Sequence, residues 1–119
     1  FCSRRRLLNE DQYSNNLSKR GYEIIYPEKI SEKQKISYSY YAKTILGLPS
    51  GSALSNFIFS DQPSIIEIQS KKQLIYVWFL LSQELNLKYR LIFADFSDEK
   101  SDFRENNFVI DPKDFPNDL

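Results

Sequence analysis

The residues best suited to chemistry fall in three groups. The first is the stretch from Gly47 to Phe59, GLPSGSALSNFIF. It crowds small residues between a strand-like run, Thr44-Ile45-Leu46, and an apolar run that reads as a helix over about 52–59. A glycine-rich turn feeding a helix N-terminus offers bare backbone N–H groups and a positive dipole end, which suits a phosphate. Around Gly51 and Ala53, the hydroxyls of Ser50, Ser52 and Ser55 supply further donors. Asn56 reads either as part of this cradle or as a tie from side chain to backbone. Glycine and serine are also ordinary turn residues, so the pattern alone fits a structural loop equally well. The second group is Arg4-Arg5-Arg6. A charge run is usually solvated, but arginine is the side chain suited to bidentate phosphate contact. These three follow Phe1-Cys2-Ser3, which reads as the end of a strand. The third group is acidic. Glu67 interrupts the apolar run Ile65-Ile66-Glu67-Ile68, whose strand should be buried on both faces, so its carboxylate needs a partner or an open strand end. It reads as an acceptor for ribose hydroxyls or as a structural acid paired with arginine. Glu28 follows Pro27 at a strand end, where it reads as a loop acid or as a contact to base or ribose.

Composition narrows what these groups can do. The chain has 119 residues, with Lys plus Arg 16 and Asp plus Glu 16, so its net charge is zero. A general nucleic-acid binder needs a basic surplus to release counterions from phosphates, and none is present. Histidine is absent and cysteine occurs once, as Cys2. The commonest general base and metal ligand is therefore missing. A zinc site is not expected, nor an internal disulfide, and a reducing, cytoplasmic compartment is the simplest reading. No Asp-x-Asp pair stands ready to hold a metal on a diphosphate. The longest apolar run, Leu74 to Leu81, falls well short of the ~18 residues of a membrane span. With no initiator methionine and no signal-peptide pattern, the chain reads as a piece of a longer protein, with any membrane association arising elsewhere in it.

The elements that must position these residues follow from capping and periodicity. Asn9-Glu10-Asp11-Gln12 opens a helix, with Asn9 as cap, and Lys19-Arg20-Gly21 closes it. Tyr22 to Tyr26, ended by Pro27, predicts a strand. Ser31 and Gln34 form a capping box opening a helix to about Ala42. Strands are expected at 44–47, 64–68 and 88–93. Leu74, Trp78, Leu81 and Leu85 mark one face of a helix that Asn86 ends. The tyrosines of 38–41 read as packing. Residues 97–119 read as an irregular tail with a last short strand at 108–110. Strands alternating with helices predict one α/β domain over 1–119, a Rossmann-like parallel sheet with helices on both faces. Ligands bind such sheets at the carboxyl ends of the strands, where the 47–56 loop should lie.

Several stretches together are similar to the last domain of glycosyltransferase family 61. They are Ser3-Arg4-Arg5 and Arg6-Leu7-Leu8-Asn9-Glu10, Gly21 through Glu28, Ser31 with Gln34, Ala42 through Gly47, Gly51 through Phe59, and Ile65-Ile66-Glu67-Ile68. Arg6, Asn9 and Glu10 match the family's second element. The likeness spans about residues 3 to 93, in family order. That family, also catalogued as DUF563, includes capsular-polysaccharide transferases and eukaryotic O-linked N-acetylglucosamine and xylose transferases. The resemblance implies one half of a GT-B fold, the half that binds a nucleotide-sugar donor, in an inverting enzyme that needs no metal and no cofactor. Arg4 or Arg5 and the Ser50–Asn56 loop would hold the phosphates, and Glu67 the nucleoside. A glycan or other acceptor and the catalytic base would belong with an N-terminal domain of the same protein. One departure stands out: Ser50-Gly51-Ser52 occupies the place of the family's His-Gly-Ala. A non-catalytic α/β module with a degenerate donor site is therefore the alternative reading.

Overall fold

A computed structural model describes residues 7–48, 60–72, 74–97 and 107–119 of the chain. Among these the elements run α1 (Glu10–Lys19), α2 (Glu32–Tyr41), β1 (Thr44–Gly47), β2 (Ser64–Ser70), α3 (Val77–Glu84), β3 (Tyr89–Phe96) and β4 (Phe108–Val109). Short 3-10 turns lie at Pro27–Lys29 and Pro112–Asp114.

The local chemistry explains most boundaries. The Ser31–Gln34 capping box is formed in full: Gln34 N–H donates to Ser31 Oγ, and Ser31 N–H donates to Gln34 Oε1. Glu10 and Asp11 sit in the first turn of α1 and Lys19 in the last, as the helix dipole favours. Gly21 follows at φ +95°, a conformation cheap only for glycine. Asn86, at φ +55°, turns the chain out of α3 in the left-handed region that asparagine tolerates. Asn9 does not cap α1 with its side chain. Its amide instead clasps Ile110, donating to the Ile110 carbonyl at 2.8 Å and accepting from the Ile110 N–H at 3.2 Å.

The sheet order is β1-β2-β3-β4. β1, β2 and β3 are parallel neighbours, with Thr44 to Gly47 opposite Ser64 to Glu67, and Ile65 to Ser70 opposite Tyr89 to Ala94. Each parallel pair needs a crossover connection, and α3 lies in the one between β2 and β3. β4 then joins β3 antiparallel, Phe96 against Phe108. Leu7 makes a parallel bridge to Phe108 beyond it. The described fold is thus a mixed α/β arrangement, and the expectation of a wholly parallel sheet is corrected by the β3–β4 pair. A second correction concerns Tyr22–Tyr26, which forms no strand. β-branched residues favour extended backbone, but a strand also needs a ladder, and these residues make none. The chain passes from them into the Pro27 turn with Ile24 and Ile25 half-buried.

Side-chain alternation along β2 sends successive residues to opposite faces. Ile66 and Ile68 join Tyr13 of α1, Ile92, Ala94, Phe108 and Ile110 in the larger core cluster. Ile65 packs with Leu87, Ile45, Trp78 and Leu81 on the other face, the side of α3. Of the expected α3 face, Trp78 and Leu81 are packed, whereas Leu85 is largely exposed. The helix begins at Val77, after Leu74 rather than on it.

Candidate functional site

Arg4, Arg5, Ser50, Gly51, Ser52, Ala53, Ser55 and Asn56, together with Arg6, lie outside the described residues. What the described residues build is the part of the sheet that precedes and follows the 49–59 segment in sequence. β1 ends at Gly47, so the chain leaves toward the 49–59 segment from the carboxyl end of a parallel strand. In register with Gly47, on β2, stands Glu67.

Glu67 is 0% exposed. Its neighbours fix it through one oxygen. Tyr89 donates its hydroxyl to Glu67 Oε1 at 2.5 Å, and Gln69 Nε2 donates to the same atom at 2.8 Å. Gln69 is itself clasped by the backbone of Ile75: its Nε2 donates to the Ile75 carbonyl at 2.6 Å, and its Oε1 accepts from the Ile75 N–H at 2.5 Å. The second carboxyl oxygen, Oε2, is buried and has no hydrogen-bond partner. Burial raises the Glu67 pKa, and the bonds from Tyr89 and Gln69 oppose that rise. The Tyr89 phenol is raised as well, first by burial and then by its bond to Glu67. Among the described residues no arginine pairs with Glu67, so the Arg-paired structural reading finds no support there.

Beside this network is a cavity of about 320 Å³ lined by Gln69, Leu74, Ile75, Tyr76, Phe79, Tyr89 and Leu91. Phe79 of α3 meets Tyr89 edge-on, with ring centroids 5.2 Å apart. A second cleft, of about 300 Å³, lies at Gln62–Ser64 and Asn86–Lys88, the amino ends of β2 and β3. Glu28 is not brought to the Glu67 network. It sits exposed in the Pro27–Lys29 turn.

Tyr89 and Gln69 were not singled out from the sequence. The signal for Gln69 was there: Glu67 and Gln69 stand two residues apart in one strand, so they share a face, and two polar groups on a buried face must satisfy each other. Tyr89 needed the strand register, which the sequence does not carry.

Among the described residues, no group of three or more histidine, cysteine, aspartate or glutamate side chains is placed to hold a metal ion. No helix there is long and apolar enough to cross a membrane.

An α/β domain with parallel strands and a buried acid level with the carboxyl end of its first described strand fits the class of proteins that bind ligands at strand ends. The family model "Glycosyltransferase 61" matches residues 1–66. The chain therefore belongs to that family, and glycosyl transfer is its general function. The match runs through α1, α2 and β1 and stops one residue before Glu67. No curated protein and no solved structure matches the chain.

Proposed function

We propose that the chain is the donor-binding, Rossmann-like half of a GT-B glycosyltransferase. In this reading it holds a nucleotide sugar for inverting, metal-independent transfer in polysaccharide or glycoconjugate synthesis. Family membership supports the chemistry in general terms. The observation that carries the donor assignment is the pairing of Gly47 with Glu67. It sets a buried carboxyl group level with the strand end from which the Ser50–Asn56 loop departs. The loop and Arg4 or Arg5 would hold the diphosphate, Glu67 the nucleoside. Fixed positive groups would stabilise the leaving diphosphate where other enzymes use a metal. The catalytic base and the acceptor site would come from an N-terminal domain, in a cytoplasmic enzyme or one attached to a membrane elsewhere. The Ser50 substitution favours the competing reading, a packing or partner-binding module that has lost its donor.

Calorimetry of the full-length protein with uridine, guanosine and cytidine diphosphates separates the two. One of them binds the donor domain, and binding persists in EDTA. Gly51→Val abolishes it by placing a branched side chain where phosphate oxygens approach the backbone, while the melting temperature is kept. Silence with all three at millimolar concentration sinks the donor reading and leaves the module.

A further inference from the structure

We infer that the cleft at the amino ends of β2 and β3 is a second binding site, which takes a neutral sugar unit of a glycan. It lies at the end of the sheet opposite the one where β1 runs out at Gly47, so the inference does not rest on the donor reading above. Gln62, Pro63, Ser64, Asn86, Leu87 and Lys88 line the cleft, and its volume is about 300 Å³. That is the small end of the range for ligand pockets, with room for one ring rather than a chain.

Two observations carry it. The first is a set of unspent polar groups. Among the described residues, the side chains of Gln62, Ser64, Asn86 and Lys88 form no hydrogen bond or ion pair with the protein. Carboxamides and a hydroxyl both donate and accept, and the ammonium donates. A sugar hydroxyl also does both, so it matches each of them. Beneath them Pro63 is fully buried and Leu87 is 8% exposed, an apolar floor for the C–H face of a ring. The second observation is in the backbone. Gln62, at φ +54°, and Asn86, at φ +55°, are the two non-glycine residues with positive φ among the described residues, and both line this one cleft. Asparagine tolerates that conformation, whereas for glutamine it is sparse. Held backbone conformations of this kind cluster at ligand sites. Other ligands fit less well. No described lining residue is aromatic, so a nucleobase finds nothing to stack on, and none is acidic, so a metal ion finds no carboxylate. The cleft follows the carboxyl end of α3, with Glu84 and Asp61 exposed on either side of it in sequence. That negative helix end and those acids offset Lys88 and disfavour a phosphate or carboxylate. An acyl chain would leave the four polar groups without partners. Glycosyl transfer, the general function of the family, brings glycans to the protein.

The test titrates the full-length protein with the methyl glycosides of glucose, galactose, mannose and xylose, with glycerol, glucuronate and inorganic phosphate as controls. The readout is the NMR signals of the Gln62 and Asn86 side-chain amides. At least one glycoside should shift both signals saturably at millimolar concentration, and the three controls should not. Gln62→Gly and Asn86→Gly each remove a carboxamide where the backbone suits glycine. Each should weaken that glycoside by about threefold to tenfold, the range of one lost hydrogen bond, while the melting temperature holds or rises. Lys88→Gln removes the charge, keeps a donor and should leave most of the affinity. No saturable shift with any glycoside overturns the inference. So does a response to glycerol of equal strength, or tighter binding of glucuronate or phosphate. Glycine variants that bind the sugar as the parent does would overturn it as well. Should a variant fail to fold, the parent titrations alone decide. Nucleoside diphosphates bind or fail to bind elsewhere, so the fate of the donor reading is scored separately.

Discussion

Glu67 binds its proton more tightly in the folded chain than in the unfolded one, because burial raises its pKa from the ordinary 4.5. The stability it contributes is therefore complete below pH 4.5 and declines as pH rises through the raised value. Glu67→Gln abolishes the titration and keeps an acceptor for Tyr89. We expect the melting temperature of the variant to stay level where that of the parent falls, and to equal or exceed it at pH ~8. A variant that melts lower at every pH would show that the carboxylate is stabilising as an ion. Asn9 offers a second test. Its side chain ties both backbone groups of Ile110, whereas the Tyr13 hydroxyl donates to the same carbonyl at 2.8 Å. Asn9→Ala should cost ~1–3 kcal/mol, since it strands a backbone N–H. Tyr13→Phe should cost ~0.5–1.5 kcal/mol, because the Ile110 carbonyl keeps its other donor. Chemical denaturation ranks the two, and the reverse order would contradict the clasp.

At the scale of elements, α2 is held differently from its neighbours. It has a complete capping box and no buried residue, while α1 buries Tyr13 and Leu17. Its persistence leans on the cap more than on packing. Ser31→Ala should cost ~1 kcal/mol of helix stability. It should speed amide hydrogen exchange across Glu32–Tyr41 while leaving β2 and β3 protected. Uniform acceleration over the whole chain would instead tie α2 to the global core. What could be read from the sequence follows the same division. The Ser31–Gln34 box, the glycine stop, the asparagine stop and the strands expected at 44–47, 64–68 and 88–93 are local signals, and the structure keeps them. Tyr22–Tyr26 was misread because β-branched composition reports extended backbone and says nothing of a ladder partner. Asn9 was misread because an asparagine before a helix can cap it or bind elsewhere, and only the fold brings Ile110 within reach. Glu67 stood out as an acid in an apolar strand, but its partners depended on register.

Across the whole molecule, the C-terminal residues do more than their polar approach suggests. Phe108 and Ile110 are at most 2% exposed and belong to the larger cluster with Ile66, Ile68 and Ile92. Fully burying an apolar side chain contributes ~1.5–3 kcal/mol, so losing both removes a large share of a typical ~5–15 kcal/mol stability. A chain ending at residue 106 should lose its cooperative thermal transition, as read by circular dichroism. A sharp transition at an unchanged temperature would show that β4 is an appendage. The antiparallel pairing of β4 was out of reach of the sequence, since a two-residue strand has no periodicity to read.

The clasp between Asn9 and Ile110 joins residues 101 positions apart, and the Leu7–Phe108 bridge spans the same distance. On a ribosome the first helix is therefore made long before the residues that anchor it. β1 and β2 can pair while the rest of the chain is still being added, but the apolar side of α1 waits for residues 108–110. Because closing long loops slows folding, this last step should set the rate. Until it is complete, a nascent chain exposes the surfaces of Tyr13, Ile66 and Ile68 that a chaperone would shield.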